Sequence, residues 1–298
     1  MNGRKYYEFK KILGSILLSL SACIWGGMFV VVKDVVSVVH PLQLVWLRYL
    51  VAIIFLILFS ILKREKWSIH KKDIGLIIAI GLIGNAISIV SQETFTWLSS
   101  AQTGAVITSA TPSFMVIFAW LIFKEKITRV KVVSLVMATI GVVMIVGIHL
   151  EGNNILLGVL SLIIAALTWA LMSVLIQKVN HYSSLQITIM STVVAIICLT
   201  PVIFTNTASL VNIDFLEPKI ILSLLYLGVI STALAFVMWN RGLTLVNSSS
   251  SGLFFLLQPI VGTLLGWLFL KESVSFGFFL GTILIVGSVW ISVKFESN

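Results

Sequence analysis

The sequence predicts an all-α integral membrane protein, with ten transmembrane helices forming two inverted five-helix repeats around a central cavity. Three observations predict it. Hydrophobic residues make up 59% of the 298 and charged residues only 10%, against roughly 45–50% and about 25% in soluble proteins. Apolar runs of membrane-spanning length recur along the whole chain. The two halves also share residues at offsets of 144 to 147. At about 20 apolar residues per crossing plus a short loop, the residues accommodate about ten spans and leave no room among them for a soluble catalytic domain. No segment combines low hydrophobicity with high charge, so a long disordered region is excluded as well.

The first run, 12–32, follows Lys10-Lys11 and stops at Lys33-Asp34. Leu20-Ser21-Ala22-Cys23 within it fits a lipoprotein cleavage box, but the run continues apolar to Val32, too long for a signal core of about 7–15 residues. The second, 41–62, opens on Pro41 and closes at Lys63-Arg64. The third, 74–96, begins after Lys71-Lys72-Asp73, and only Trp97, Ser99 and Ser100 separate it from the fourth, 101–123, which ends at Lys124-Glu125-Lys126. The fifth, 130–149, follows Arg129 and gives way to Gly152-Asn153-Asn154. The sixth, 155–177, ends at Lys178; the seventh, 184–204, follows Ser183; the eighth, 219–240, lies between Pro218 and Arg241. The ninth, 247–270, stops at Lys271-Glu272, and the tenth, 276–293, at Lys294. Each run is continuously apolar, whereas a barrel strand alternates over about ten residues, so helices are expected throughout.

Orientation follows from the Lys and Arg bias of alternate loops. Sixteen of the 20 fall on one side, mostly in the clusters at 4–11, 63–72 and 124–131; Lys33, Lys219 and Lys271 fall on the other, and Arg48 lies within a span. Both termini, residues 1–11 and 294–298, are therefore expected in the cytoplasm as short tails. The net charge of +9 is accounted for by orientation, not by nucleic-acid binding. Cys23 and Cys198 lie inside spans and read as small buried hydrophobes.

The repeat is carried by Pro112 with Pro259, Trp120 with Trp267, Phe123-Lys124-Glu125 with Leu270-Lys271-Glu272, Ala22 with Ala166, Trp25 with Trp169, and Gly141 with Gly287. It divides the chain into 12–149 and 155–293. Because five is odd, the second half enters the membrane the other way up, the inverted arrangement found in secondary transporters.

On these residues, together with Trp46-Leu47-Arg48-Tyr49, Thr111-Pro112, Ala166-Leu167-Thr168-Trp169-Ala170 and Gln258-Pro259, the chain resembles the EamA-type members of the drug/metabolite transporter superfamily from about Leu13 to Val293. The resemblance implies a metabolite transporter, commonly an amino-acid exporter, with a central cavity between two five-helix halves. It is nearly silent on the substrate.

A charge inside a span costs on the order of 2.5–3.5 kcal/mol on insertion scales. Lys33, Arg48 and Glu93 carry such charges, all in the outer half of the membrane. One reading is a vestibule in which Lys33 or Arg48 attracts a carboxylate and Glu93 pairs with one of them, gates, or takes a proton. The other is that Lys33 and Glu93 snorkel and Arg48 ties down helix-end carbonyls. The pattern is not repeated: the positions matching Arg48 and Glu93 fall near Thr192 and at Asn240. Trp25 and Trp169 lie in mid-membrane, away from the interfaces where Trp gathers, and are expected to line the cavity or to pack helices. Asn85, Gln92, Thr108, Thr111, Thr168, Gln177, Asn240 and Gln258 bind substrate or bridge helices. Pro112 and Pro259 break helices and free carbonyls. Gly262-x-x-x-Gly266 and Gly277-x-x-x-Gly281 are expected to bring helices together within the bundle.

There is no phosphate-binding loop for ATP, no metal-ligand spacing among His40, His70, His149 and His181, and no Ser/His/Asp set at one depth. The expectation is a transporter that is not an enzyme and needs no cofactor or metal. It works by alternating access in the bacterial cytoplasmic membrane, exports amino acids or related small amphipathic compounds, and is a monomer whose partners are its solute and the bilayer. An importer or exchanger, or a lipid-handling or sensory protein without solute flux, remains open.

Overall fold

The computed structural model describes residues 3–98, 111–146, 155–205, 213–246, 248–270, 274 and 276–295. All regular structure among them is helical. Thr108, His149, Lys271 and Glu272, with the start of the fourth apolar run at 101–110, lie outside the described residues.

Helix α1 runs Gly3–Val35. It begins well before the apolar run at 12, because Lys and Arg are good helix formers and extend the helix through residues expected to form a tail. Helix α2, Pro41–Leu62, starts with proline at its first position, and the His40 side chain accepts from Leu42 N at 3.4 Å. It ends in left-handed Arg64 (φ 51°), with Glu65 N donating to Ser60 O at 3.0 Å, a Schellman closure with arginine where glycine is usual. Helix α3 is continuous over Lys71–Leu98 and contains a π-helical segment, Gly81–Ser88. Helix α4 is described over Thr111–Phe123 and closes on left-handed Lys124 (φ 57°). Helices α5 (Arg129–Val146) and α6 (Ile155–Ile176, extended by a 3-10 turn at Gln177–Val179) follow.

Helix α7, Ser184–Phe204, starts with a capping box in which Ser183 and Gln186 exchange side-chain to backbone hydrogen bonds, both at 3.2 Å. Helix α8, Pro218–Leu243, again opens on proline and carries a second π-helical segment, Tyr226–Leu234. Helix α9 covers 248–270, with a 3-10 stretch, Gly252–Leu256, before its long α part. Helix α10 is Phe276–Phe295.

Among the described residues, six helical spans are long and apolar enough to cross a membrane: Glu8–Val35, Pro41–Leu62, Lys71–Leu98, Ser184–Phe204, Pro218–Leu243 and Ser250–Phe269. The bundle is built for lipid. Its outer surface carries Ile54, Leu62, Leu222 and Phe269, whereas Arg48, Glu93, Asn85, Gln92, Asn240 and Gln258 are buried. In water that distribution would expose apolar area; in hydrocarbon it hides the polar groups that a bilayer cannot solvate.

The helix pairings recur in matched form. α1 packs on α8 and α9, while α6 packs on α3 and α4; α2 packs on the π segment of α8, while α7 packs on the π segment of α3; α2 meets α7, and α5 meets α10. Close approach depends on glycine at two crossings. A Cβ on Gly81 would lie 2.8 Å from Ser191 O and 2.6 Å from Val194 Cβ, and one on Gly228 would lie 3.0 Å from Arg48 O and 2.6 Å from Val51 Cβ. The same motif, glycine against a carbonyl and the valine three residues on, is thus used on α7 and on α2. Gly26 against Gly262, and Gly141 against Gly281 O, likewise bring helices together within the bundle.

At one end, Asp73 Oδ2 accepts from Tyr182 Oη at 3.0 Å and lies 2.9 Å from His181 Nε2, while Gln186 Nε2 donates to Lys66 O at 2.7 Å. These contacts join the start of α3 to the α6–α7 linker and the start of α7 to the α2–α3 linker. Burial, reinforced by the Asp73 carboxylate, pushes the Tyr182 hydroxyl above the usual phenol range, so it remains a donor at neutral pH.

Candidate functional site

Arg48 is the eighth residue of α2, and its side chain is fully enclosed. Burial of a guanidinium requires partners for its donors. Nη1 donates to Glu93 Oε1 of α3 at 2.5 Å, Nε to Thr232 Oγ1 at 2.8 Å and Nη2 to Ser231 Oγ at 3.2 Å, and both Nη atoms lie 3.4 Å from Met28 Sδ of α1. One side chain therefore ties together α1, α2, α3 and α8. Of the partners open in the sequence, Glu93 takes Arg48. Lys33 instead donates to Thr96 O at 3.3 Å, near the end of α3. Arg48 meets hydroxyls and a carboxylate, not helix-end carbonyls.

The π segment of α8 explains why this is possible. A π turn inserts a residue into the α ladder and leaves backbone acceptors available. Thr232 Oγ1 donates to Leu227 O, five residues back, at 2.7 Å, and Ser231 O is left to accept Trp25 Nε1 at 2.9 Å. The π segment of α3 is used in the same way: Asn85 O accepts Tyr49 Oη at 2.7 Å, and Asn85 Nδ2 donates to Ser191 Oγ at 3.1 Å. Ser191 is the eighth residue of α7, as Arg48 is of α2. The two crossings place matched positions together, one closed by the Arg48 guanidinium on the hydroxyls of Ser231 and Thr232 and the other by neutral groups.

Trp25 and Trp169 meet edge to face with ring centroids 5.1 Å apart, a favoured arrangement for aromatic quadrupoles. Phe236, Trp239 and Phe255 complete an aromatic wall, each 5.2–5.9 Å from Trp25. Beside it lies a cavity bordered by Trp25, Met28, Arg48, Gln92, Trp169 and Gln258 among others, with about 10 Å³ open to the centre of a water-sized sphere, room for about one water. Three polar atoms around this region are enclosed without a hydrogen-bond partner among the described residues: Glu93 Oε2, Trp169 Nε1 and Gln258 Oε1.

The remaining expected residues divide. Asn85 serves the α3–α7 crossing, and Asn240 Nδ2 donates to Thr188 Oγ1 at 2.9 Å, a bridge from α8 to α7 away from the cavity. Gln177 Nε2 donates to Leu243 O at 2.8 Å, and Thr168 Oγ1 to Ile164 O of its own helix at 2.6 Å. Thr111 is buried and Pro112 sits in the first described turn of α4, against Gly252. Pro259 lies just after the switch from 3-10 to α geometry in α9, where its missing N–H disturbs the ladder least. Sequence reasoning missed Met28, Ser231, Thr232 and the aromatic trio. Phe236 and Trp239 do share one face of α8, three residues apart, but on an apolar helix that spacing is no signal.

The profile of the EamA-like transporter family matches residues 12–147 and a second time residues 156–294. The chain belongs to the EamA-like transporter family. An uncharacterized transporter of Archaeoglobus fulgidus is 27% identical to this EamA-like protein over 281 residues, covering 94% of this chain and 98% of its own. A protein of Salmonella typhimurium named "Probable amino-acid metabolite efflux pump" is 27% identical over 291 residues, covering 93% of each chain. A crystal structure of a protein 16% identical in sequence has a TM-score of 0.78 and covers 95% of this chain and 98% of that one, a likeness that shows the fold alone. This EamA-like protein is a multi-pass membrane protein of a transporter family.

Proposed function

We propose that the protein is a secondary transporter, not an enzyme, in which ten helices form two inverted five-helix halves that alternate access to a site beside Trp25 and Trp169. The observation that carries the reading is the enclosed Arg48–Glu93 pair, set among matched helix sets, with Arg48 bordering an aromatic-walled cavity. An intramembrane ion pair is expensive and marks a substrate or ion pathway. The reciprocal helix pairings and the π segments at matched places in α3 and α8 support the inverted repeat.

The cavity size supports alternating access. Small-molecule sites are roughly 300–1,000 Å³, so a cavity with room for about one water admits cargo only after the halves separate toward one face. The cargo we favour is an amino acid or related small amphipathic compound, moved outward: the wall is aromatic, the unpartnered atoms of Trp169 and Gln258 offer one donor and one acceptor, and relatives carry the name of amino-acid metabolite efflux pumps. Glu93 Oε2, enclosed and unpartnered, is the proton acceptor in this reading. In this reading both termini lie in the cytoplasm, which the charge bias supports, and the protein is a monomer in the bacterial cell membrane.

The test is flux of a radiolabelled panel of amino acids, amines and nucleosides in proteoliposomes of known orientation. The reading expects at least one amino acid or amphipathic metabolite to move faster than in empty vesicles, with counterflow separating exporter from exchanger. If none moves, the protein belongs to the lipid-handling or sensory class instead.

A further inference from the structure

A second cavity, about 440 Å³ on the same measure, opens on the flank of the bundle between α1, α8 and α9. It is ligand-sized, unlike the central one. Val30 and Val31 of α1 and Leu265 and Phe269 of α9 form its walls, and Gly27 and Tyr226 its floor. Phe269 is 72% exposed, so this flank faces lipid. The glycine keeps the floor open: a Cβ at Gly27 would lie 2.9 Å from Tyr226 Oη and 3.1 Å from Leu265 Cδ1. The polar end of Tyr226 is turned inward, donating to Ile24 O at 2.9 Å, which leaves the groove apolar apart from Ser223 on its α8 side and Asp34 at its mouth. From Asp34 at the mouth to Gly27 at the floor is about 10 Å along the helix, the upper part of one leaflet. An unfilled space of that kind forfeits dispersion contacts, and water has too few polar partners inside it. An acyl chain meets both conditions.

The mouth selects the headgroup. Lys219 Nζ lies 2.8 Å from Asp34 Oδ1, and both side chains are about half exposed. Such a pair contributes little and exchanges partners easily. A headgroup that brings a phosphate to Lys219 and an ammonium with N–H donors to Asp34 replaces one exposed contact by two charge-assisted ones. A quaternary ammonium has no N–H to donate, and a wholly anionic headgroup is repelled by Asp34. We propose that this groove binds one phosphatidylethanolamine molecule of the leaflet at the Asp34–Lys219 end, its acyl chain lying between α1 and α9 and its headgroup bridging Asp34 and Lys219. The ligand is a lipid and not the cargo, so the proposal stands or falls separately from solute flux.

The full chain, extracted from vesicles containing equal phosphatidylethanolamine and phosphatidylcholine, is examined by native mass spectrometry for retained lipid. The expected result is one retained lipid, with phosphatidylethanolamine favoured about tenfold, the ratio that corresponds to about 1.4 kcal/mol. Asp34→Asn, at an exposed position where folding is not at stake, should bring that ratio close to one. Leu265→Trp should fill the groove and lose lipid of both kinds, whereas Ile54→Trp, on another lipid-facing helix, should lose none. Equal retention of the two lipids by the unaltered protein, or retention that survives Leu265→Trp in a folded chain, overturns the proposal.

Discussion

Replacing Arg48 by methionine removes the guanidinium but keeps an unbranched apolar stem in its place. Glu93, 1% exposed, then stands without a counter-charge, and Ser231 and Thr232 lose a donor. Breaking a buried pair from one side costs about 3–5 kcal/mol, because the remaining charge is stranded, whereas replacing both partners by apolar groups is often neutral or stabilising. For a chain of this size the single change should lower the unfolding midpoint by on the order of 10 °C. Arg48→Met combined with Glu93→Leu should restore most of it. The four members of the cycle are compared by thermal unfolding in detergent and by flux in proteoliposomes. The double variant should be stable and inactive, which separates the pair's structural cost from its use in transport. If Arg48→Met alone unfolds within about 0.5 kcal/mol of the parent, the pair is not a buried ion pair; if the double variant transports normally, the pair has no place in the mechanism.

Other changes address the site and its frame. Glu93→Gln keeps the shape of the carboxyl but removes the proton acceptor, so flux should lose its response to a pH gradient; gradient-driven flux that persists assigns the coupling elsewhere. Trp25→Phe keeps an aromatic ring against Trp169 but leaves Ser231 O without its donor, and should change substrate affinity or preference in competition assays. Gly84→Ala would drive a Cβ into the Met172 side chain and should destabilise the α3–α6 contact by about 1–3 kcal/mol, visible as earlier thermal unfolding. Lys124→Gly, at a left-handed position (φ 57°), should gain about 1 kcal/mol by relieving the Cβ clash; an unchanged midpoint would place the strain elsewhere.

The sequence made the membrane setting legible because hydrocarbon imposes one strong requirement, long continuous apolar runs, and those runs are visible one residue at a time. It also marked Arg48 and Glu93, since a charge inside such a run stands out. It left open whether Lys33 or Arg48 meets Glu93. That depends on helix rotation, which apolar runs without a polar stripe do not encode. The two π segments were invisible for a related reason: Gly81–Ser88 and Tyr226–Leu234 are as apolar as their neighbours, and one additional residue per turn leaves no mark on composition. The aromatic wall escaped notice because Phe236 and Trp239 of α8 and Phe255 of α9 meet Trp25 and Trp169 only when α8 and α9 close on α1.

The π segment of α3 also sets a helical phase. Each residue advances an α-helix by about 100°, so the surplus residue between Gly81 and Ser88 turns everything after it by roughly that angle relative to an uninterrupted helix. Glu93 lies five residues beyond the segment, on the side of α3 that Arg48 occupies. Deleting a single residue from the segment would leave the composition and the apolar length of α3 almost untouched, yet would swing the carboxylate toward another neighbour. The insertion thus works as an angular setting, by which a residue that touches neither charge decides whether they meet.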